Sequence, residues 1–312
     1  MPACSAPFAR VALMAALKAA RRSAPRSAQL GGVPLPLLLL LPATLLFLAL
    51  FVVPLGVLVK NSFHDYSRMT GIVPGFTIKN YLRILGDSYY LEIAGRTMRL
   101  AFMTSLATLI IGYPVALYLT VASARQRAWI IVLILSPLLV SVIVRTFGWL
   151  VLLGPNGLVD AVLAWFGLSG VGLLHTEAAV VAGLANVLLP FMVLAIATSL
   201  QAIDPAVPLA AASLGASPWH SFRLITLPLS LPGVLSGLLI VFSLASSSFV
   251  TPALLGGSNY KVLSTMVYQQ AMVLQNWPFA ASSAVVLVLI VLAVLTLQRR
   301  LIEGGKYKVV FH

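Results

Sequence analysis

The chain has 312 residues, 60% hydrophobic and 9% charged, with 20 lysines and arginines against 7 acids for a formal charge of +13. Ordinary soluble domains are roughly 45–50% apolar and about 25% charged, so most soluble folds are excluded. A single cysteine, Cys4, rules out an intrachain disulfide, a Cys-rich metal site and a CxxC redox pair.

Residues 1–32 form a basic tail with Arg10, Lys18, Arg21, Arg22 and Arg26 and no acid. That composition also suits a transit peptide or the first part of a signal peptide. The apolar run that follows is too long for a typical signal sequence and lacks a clear cleavage site, so it reads as a retained span. Six stretches are apolar and long enough to cross a bilayer, at about 36–59, 100–121, 129–153, 178–200, 233–255 and 280–297. An even number puts both termini on one side. The tail and the segment 60–99 are similarly basic and decide nothing. Later loops do: Arg125, Arg127, Arg223, Arg299, Arg300, Lys306 and Lys308 fall on one side, against Lys261 alone in 154–177 and 256–279. Basic residues resist translocation, so both termini are expected in the cytoplasm. The positive charge is then largely a topology signal, and no nucleic-acid partner is expected. Between the first two spans, Ile78, Tyr81, Leu82 and Leu85 recur at helical spacing and predict a short surface helix over 76–85.

The segment 201–232 is unusually apolar for a cytoplasmic loop. Asp204 can cap a helix with Pro205 at its first position, and the Ala-rich run 209–214 continues it. Gly215 supplies the flexible or left-handed residue needed to stop it and turn the chain. Ser217 and Pro218 start a second short helix, which Leu227-Pro228 is expected to end. The run Ala210-Ala211-x-x-Leu214-Gly215-Ala216-Ser217, followed by Phe222, Ile225, Leu227-Pro228 and Pro232, resembles the Glu-Ala-Ala signature of permease subunits of binding-protein-dependent ABC importers. Residues 144–159, 189–192, 249–257 and 276–279 are similar to the spermidine/putrescine branch of that family.

The resemblance covers roughly residues 36–300. It implies an all-α membrane protein with six transmembrane helices, like a type I ABC importer permease, in a bacterial inner membrane. A six-span domain would occupy 33–300, with a coupling loop at 201–232 and cytoplasmic tails at 1–32 and 301–312. Ala210, Ala211, Leu214, Gly215, Ala216, Ser217, Phe222, Leu227 and Pro228 would couple it to the ATPase. The implied partners are a second homologous permease subunit, two cytoplasmic ABC ATPase subunits and an extracytoplasmic solute-binding protein, besides the lipid bilayer. The chain has no GxxxxGK[ST] loop, so ATP and magnesium would be used by the partner ATPase, and this subunit would be no enzyme. One departure stands out: the family's glutamate falls at Leu209, so an ion pair through that position is missing.

Arg145 is the one charge well inside a span, where it needs water or a partner. It could meet Asp160 or Glu177, snorkel outward, or serve a gate. Trp149, Trp165, Phe249 and Trp277 offer ring faces to an ammonium group, or anchor span ends at the interface. Asn186, Pro190, Thr251 and Pro252 interrupt apolar runs, and with Arg145, Trp149 and Phe249 they make up the candidate translocation pathway. No carboxylate lies securely within a span, which argues for a low-affinity path. Two rival readings are an ATP-independent carrier or channel, and an intramembrane serine protease using Ser169 of Gly167-Leu-Ser-Gly170 with His175. The histidines are scattered, and no metal site is expected.

Overall fold

The computed structural model describes residues 29–30, 33–165, 167 and 172–303. Most of the N-terminal tail, Ser169 and the tail beyond 303 lie outside the described residues. The chain divides into two compact units, Met1–Leu58 and Val59–His312.

Among the described residues, six stretches have the length and composition of membrane spans. The first, α1 (Leu40–Ser62), contains Pro54. A proline cannot donate to the carbonyl four residues back and would normally break the helix. Here the backbone widens into a π-type turn over Leu48–Val52, and the Val53 N–H bonds the Leu48 carbonyl instead. A hairpin of β1 (Asp65–Ser67) and β2 (Gly71–Val73) then leads to α2 (Lys79–Gly86). This helix starts later than the 76–85 spacing predicts, and its buried residue is Ile84, while Leu82 and Leu85 are exposed. The partner surface comes from Tyr90, Leu263, Met266 and Phe279, and it selects a face that periodicity alone did not.

The second crossing, α3 (Ser88–Val121), begins a dozen residues before the expected 100. Asp87 caps it by accepting the Tyr89 N–H at 3.0 Å, which carries the charged residues Glu92, Arg96 and Arg99 into the helix. The third crossing, expected over 129–153, is split into α4 (Ala124–Leu139) and α5 (Val142–Leu153), with the break at Val140 and Ser141. A stretch from Val142 to Trp165 is also apolar and long enough. It contains the turn Gly154–Gly157, however, and α5 alone reaches only about 18 Å of the roughly 30 Å core. The crossing therefore belongs to α4 and α5 together, and α6 (Leu158–Trp165) is a separate short helix.

The fourth crossing, α7 (Glu177–Gln201), lies at the centre of the second unit and packs along both α3 and the fifth crossing, α9 (Pro218–Ser247). Val180, Met192, Val193 and Ile196 on it are fully buried. Small residues permit this approach, as they do between membrane helices generally. Gly233 and Gly237 of α9 sit against Ser199 and Met192 of α7 with no room for a side chain.

Between α7 and α9 lies α8 (Ala206–Ser213). The α9 stretch runs from Pro218 to Ser247, and this corrects the expected end at Leu227-Pro228. A second π-type turn, Phe222–Thr226, precedes Pro228 just as the first precedes Pro54, and the Leu227 N–H bonds the Phe222 carbonyl. Pro228 thus sits in the first turn of a new α-helical stretch, where its missing N–H costs nothing. The fifth crossing ends at Ser247, short of the expected 255, and a π-type turn at Pro252–Gly256 follows. The last elements are α10 (Leu263–Tyr268) and the sixth crossing, α11 (Trp277–Glu303).

Candidate functional site

At one end of the second unit, α8 closes with a left-handed glycine. Gly215 has φ +85°, its N–H bonds the Ala212 carbonyl at 3.0 Å, and the Ala216 N–H reaches back to the Ala211 carbonyl at 3.0 Å. These paired bonds form a Schellman motif. Asp204 accepts the Ala206 N–H at 2.8 Å, with Pro205 one position before the helix proper. Ser217 accepts the His220 N–H at 3.3 Å and starts the next helix, as expected.

Phe222 is anchored by the Trp219 ring stacked at 5.5 Å and by the edge of Tyr113 at 5.9 Å. The Tyr113 hydroxyl in turn lies 2.9 Å from that of Ser230. Between this segment and the end of α3 is an apolar cleft of about 670 Å³, lined by Leu117, Tyr118, Pro208, Ala212, Ala216 and Phe222 among others. Outside it, Leu209, Leu214, Trp219 and Leu224 are 65% or more exposed. Leu227 is exposed too; Pro228 and Ala211 are half-buried, whereas Ala210 and Ser217 are exposed.

Arg145 meets neither acid expected of it. Its guanidinium donates to the Pro137 carbonyl, an orphan group in the last turn of α4. Pro137 also leaves the Leu133 carbonyl without its backbone donor, and the Ser136 hydroxyl supplies one at 2.8 Å. Arg145 and Ser136 thus repair the break in the third crossing. Asp160 instead accepts the Asn156 N–H at 3.4 Å.

Other pathway candidates gather only in part. Thr251 and Pro252 are buried, and Thr251 lies against Gly183 of α7. Trp149 on α5 packs on the same core, half-buried. Pro190 is buried and Asn186 half-buried on α7. Phe249 pairs separately with Tyr268 at 4.5 Å between centroids. Trp165 is almost fully exposed and Trp277 about half so. His175 packs against Gly257, and its N–H bonds the Leu255 carbonyl at 3.0 Å. Ser169, its suggested catalytic partner, lies outside the described residues. Among the described residues no group of three or more His, Cys, Asp or Glu is placed to hold a metal ion.

Sequence reading missed a charged cluster at the far end of α3 and α7. Arg99 forks onto both carboxylate oxygens of Glu177, with its Nε 2.8 Å from one of them. Arg96 pairs with Glu92 at 2.6 Å and donates to the Asn259 carbonyl at 3.3 Å. These side chains, with Gly95 and Tyr260, line a cavity of about 530 Å³. Tyr260 is 7% exposed, and its hydroxyl has no hydrogen-bond partner among the described residues. Burial first, and then the Glu177 charge, push its pKa up. The available signal was opposite charge at the adjoining ends of two spans.

The fold defines a polytopic helical membrane protein with a hinged apolar segment between its fourth and fifth crossings. Residues 101–304 match the family of the binding-protein-dependent transport system inner membrane component. The chain belongs to this family, as a multi-pass permease subunit of a binding-protein-dependent ABC importer. The spermidine/putrescine transport system permease protein PotB of Escherichia coli (strain K12) is 30% identical over 247 residues, 78% of this chain and 90% of the relative. The inner membrane ABC transporter permease protein YdcU of the same strain is 29% identical over 284 residues, 85% of this chain and 88% of the relative. Among solved structures, a chain of a bacterial ABC transporter that imports the acidic polysaccharide alginate matches with a TM-score of 0.74. It has 19% identity, and the match covers 87% of this chain and 96% of that one. The MetNI methionine ABC transporter matches at TM-score 0.53 and 19% identity, over 69% and 94% of the two chains.

Proposed function

We propose that this permease forms half of the translocation pathway for a polyamine-like organic cation, and that the segment from Ala206 to Pro228 couples it to cytoplasmic ATPase subunits. The observation that carries the coupling role is the exposed apolar surface of Leu209, Leu214 and Trp219, held in shape by the Gly215 Schellman turn. An apolar surface of this kind calls for a protein partner to cover it. Leu209 replaces the family's acid, so docking here rests on burial of apolar area.

In this reading the Gly215 end and both termini face the cytoplasm, and the Tyr260 end faces outward. The assembly adds a homologous permease, two ATPases that use ATP and magnesium, and a solute-binding protein; this chain itself catalyses nothing. The polyamine assignment is supported by 30% identity to a spermidine/putrescine permease over most of both chains. The test is uptake of labelled spermidine by proteoliposomes holding the assembled complex. Uptake should require both ATP and the binding protein. Uptake by this chain alone without ATP would establish a carrier or channel instead, and ATP-dependent import that excludes polyamines would overturn the substrate class.

A further inference from the structure

The cavity at the Tyr260 end has a feature that an ion-pair strut does not need. A structural strut is complete once its charges are paired, yet here the buried Tyr260 hydroxyl, in the same lining as the Arg99–Glu177 pair, has no hydrogen-bond partner within 3.5 Å among the described residues. We infer that this cavity is a transit site for an organic polyammonium cation, receiving one ammonium group on Glu177 and the Tyr260 hydroxyl oxygen and another on Glu92. The inference rests on the cationic substrate and the outward orientation proposed above.

Exposure decides which partners can leave. In the Arg99–Glu177 pair the arginine side chain is 58% exposed and the glutamate 24%. Arg99 can return to water, and Glu177 stays as the fixed acceptor beside Tyr260. In the Arg96–Glu92 pair the glutamate is the exposed member at 60%, against 34% for the arginine. If Glu92 turns to a ligand, Arg96 still holds the Asn259 carbonyl. Both exchanges replace one ion pair with another, and half-exposed pairs are weak, so binding is shallow and release easy. Shallow binding suits a site that substrate must leave.

The assembled importer in lipid nanodiscs, with 3-fluorotyrosine at position 260, provides the test. Titrating spermidine without ATP should shift the fluorine resonance to saturation, and sodium acetate or sodium chloride at matched ionic strength should leave it in place. Glu177→Gln should weaken the response about tenfold. In uptake assays Tyr260→Phe, which keeps both ion pairs, should raise the half-saturating spermidine concentration several-fold. A complex that imports spermidine while the resonance stays fixed and Tyr260→Phe takes up spermidine normally would overturn the transit site and leave the function standing. A shift with acetate would overturn it as well. A spermidine-dependent shift in a complex that imports no polyamine would support the site and defeat the substrate assignment.

Discussion

A side chain on Gly233 would place its Cβ 2.5 Å from the Cβ of Ser199 and 2.6 Å from the Ala195 carbonyl oxygen. Neither contact can be eased by side-chain rotation, because the Cβ of Ser199 is fixed by its backbone and the Ala195 oxygen is backbone, so the helices themselves would have to separate. Gly233→Ala is therefore expected to destabilise the protein by about 1–3 kcal/mol, the usual range for overpacking a close-packed site. Gly148, with nothing within 4 Å, is the control, and Gly148→Ala should be neutral or gain up to about 1 kcal/mol from helix propensity. Thermal unfolding in detergent of the two variants compares them directly.

Gly215 presents the opposite case, open space with a constrained backbone. No atom lies within 4 Å of its missing side chain, but φ is +85°. Gly215→Val should cost about 1–2 kcal/mol locally, enough to unravel the Schellman turn. Gly215→Asn should retain it, because asparagine tolerates the left-handed region. Co-purification of the ATPase measures the outcome: lost with valine, kept with asparagine, and membrane insertion normal in both.

Arg145 acts on the backbone of the third crossing. Arg145→Met leaves the Pro137 carbonyl without its donor within the apolar span, and a buried unsatisfied group costs about 1–3 kcal/mol. Arg145→Lys keeps a donor and should recover part of that loss. Thermal unfolding in detergent should rank the variants methionine, lysine, wild type, from least to most stable.

Asp65 gives a pH-dependent feature outside the spans. The Tyr66 N–H and, after it, Lys79 hold its carboxyl below the ordinary carboxylate range. A lowered folded pKa means the stabilisation is complete above the unfolded value, about 4, and is lost as pH falls through the folded one. Exchange of the Tyr66 amide should accelerate on acidification below pH 4 beyond the intrinsic pH effect. Asp65→Asn should flatten that extra dependence.

The number of crossings, the cap at Ser217, the turn at Gly215 and the apolar character of the coupling segment were legible in the sequence, because each follows from local composition or from one residue's backbone preference. The expected end at Leu227-Pro228 failed for a local reason of another kind. A proline breaks an α-helix, but a π-type turn two residues earlier shifts the hydrogen-bond register and lets the chain continue, and no residue preference marks that turn. Arg145 was readable as a buried charge in need of a partner; its partner, a carbonyl eight residues back, was not.

The sequence by itself determined the membrane class, the six apolar runs and the hinged segment, since transfer of apolar side chains from water depends on composition and length alone. Only the tertiary structure decided which small residues let α7 lie against α9, which acid Arg99 grips, and that Tyr260 shares a cavity lining with them. Those outcomes depend on contacts between residues as far apart as Arg99 and Glu177, which packing alone brings together.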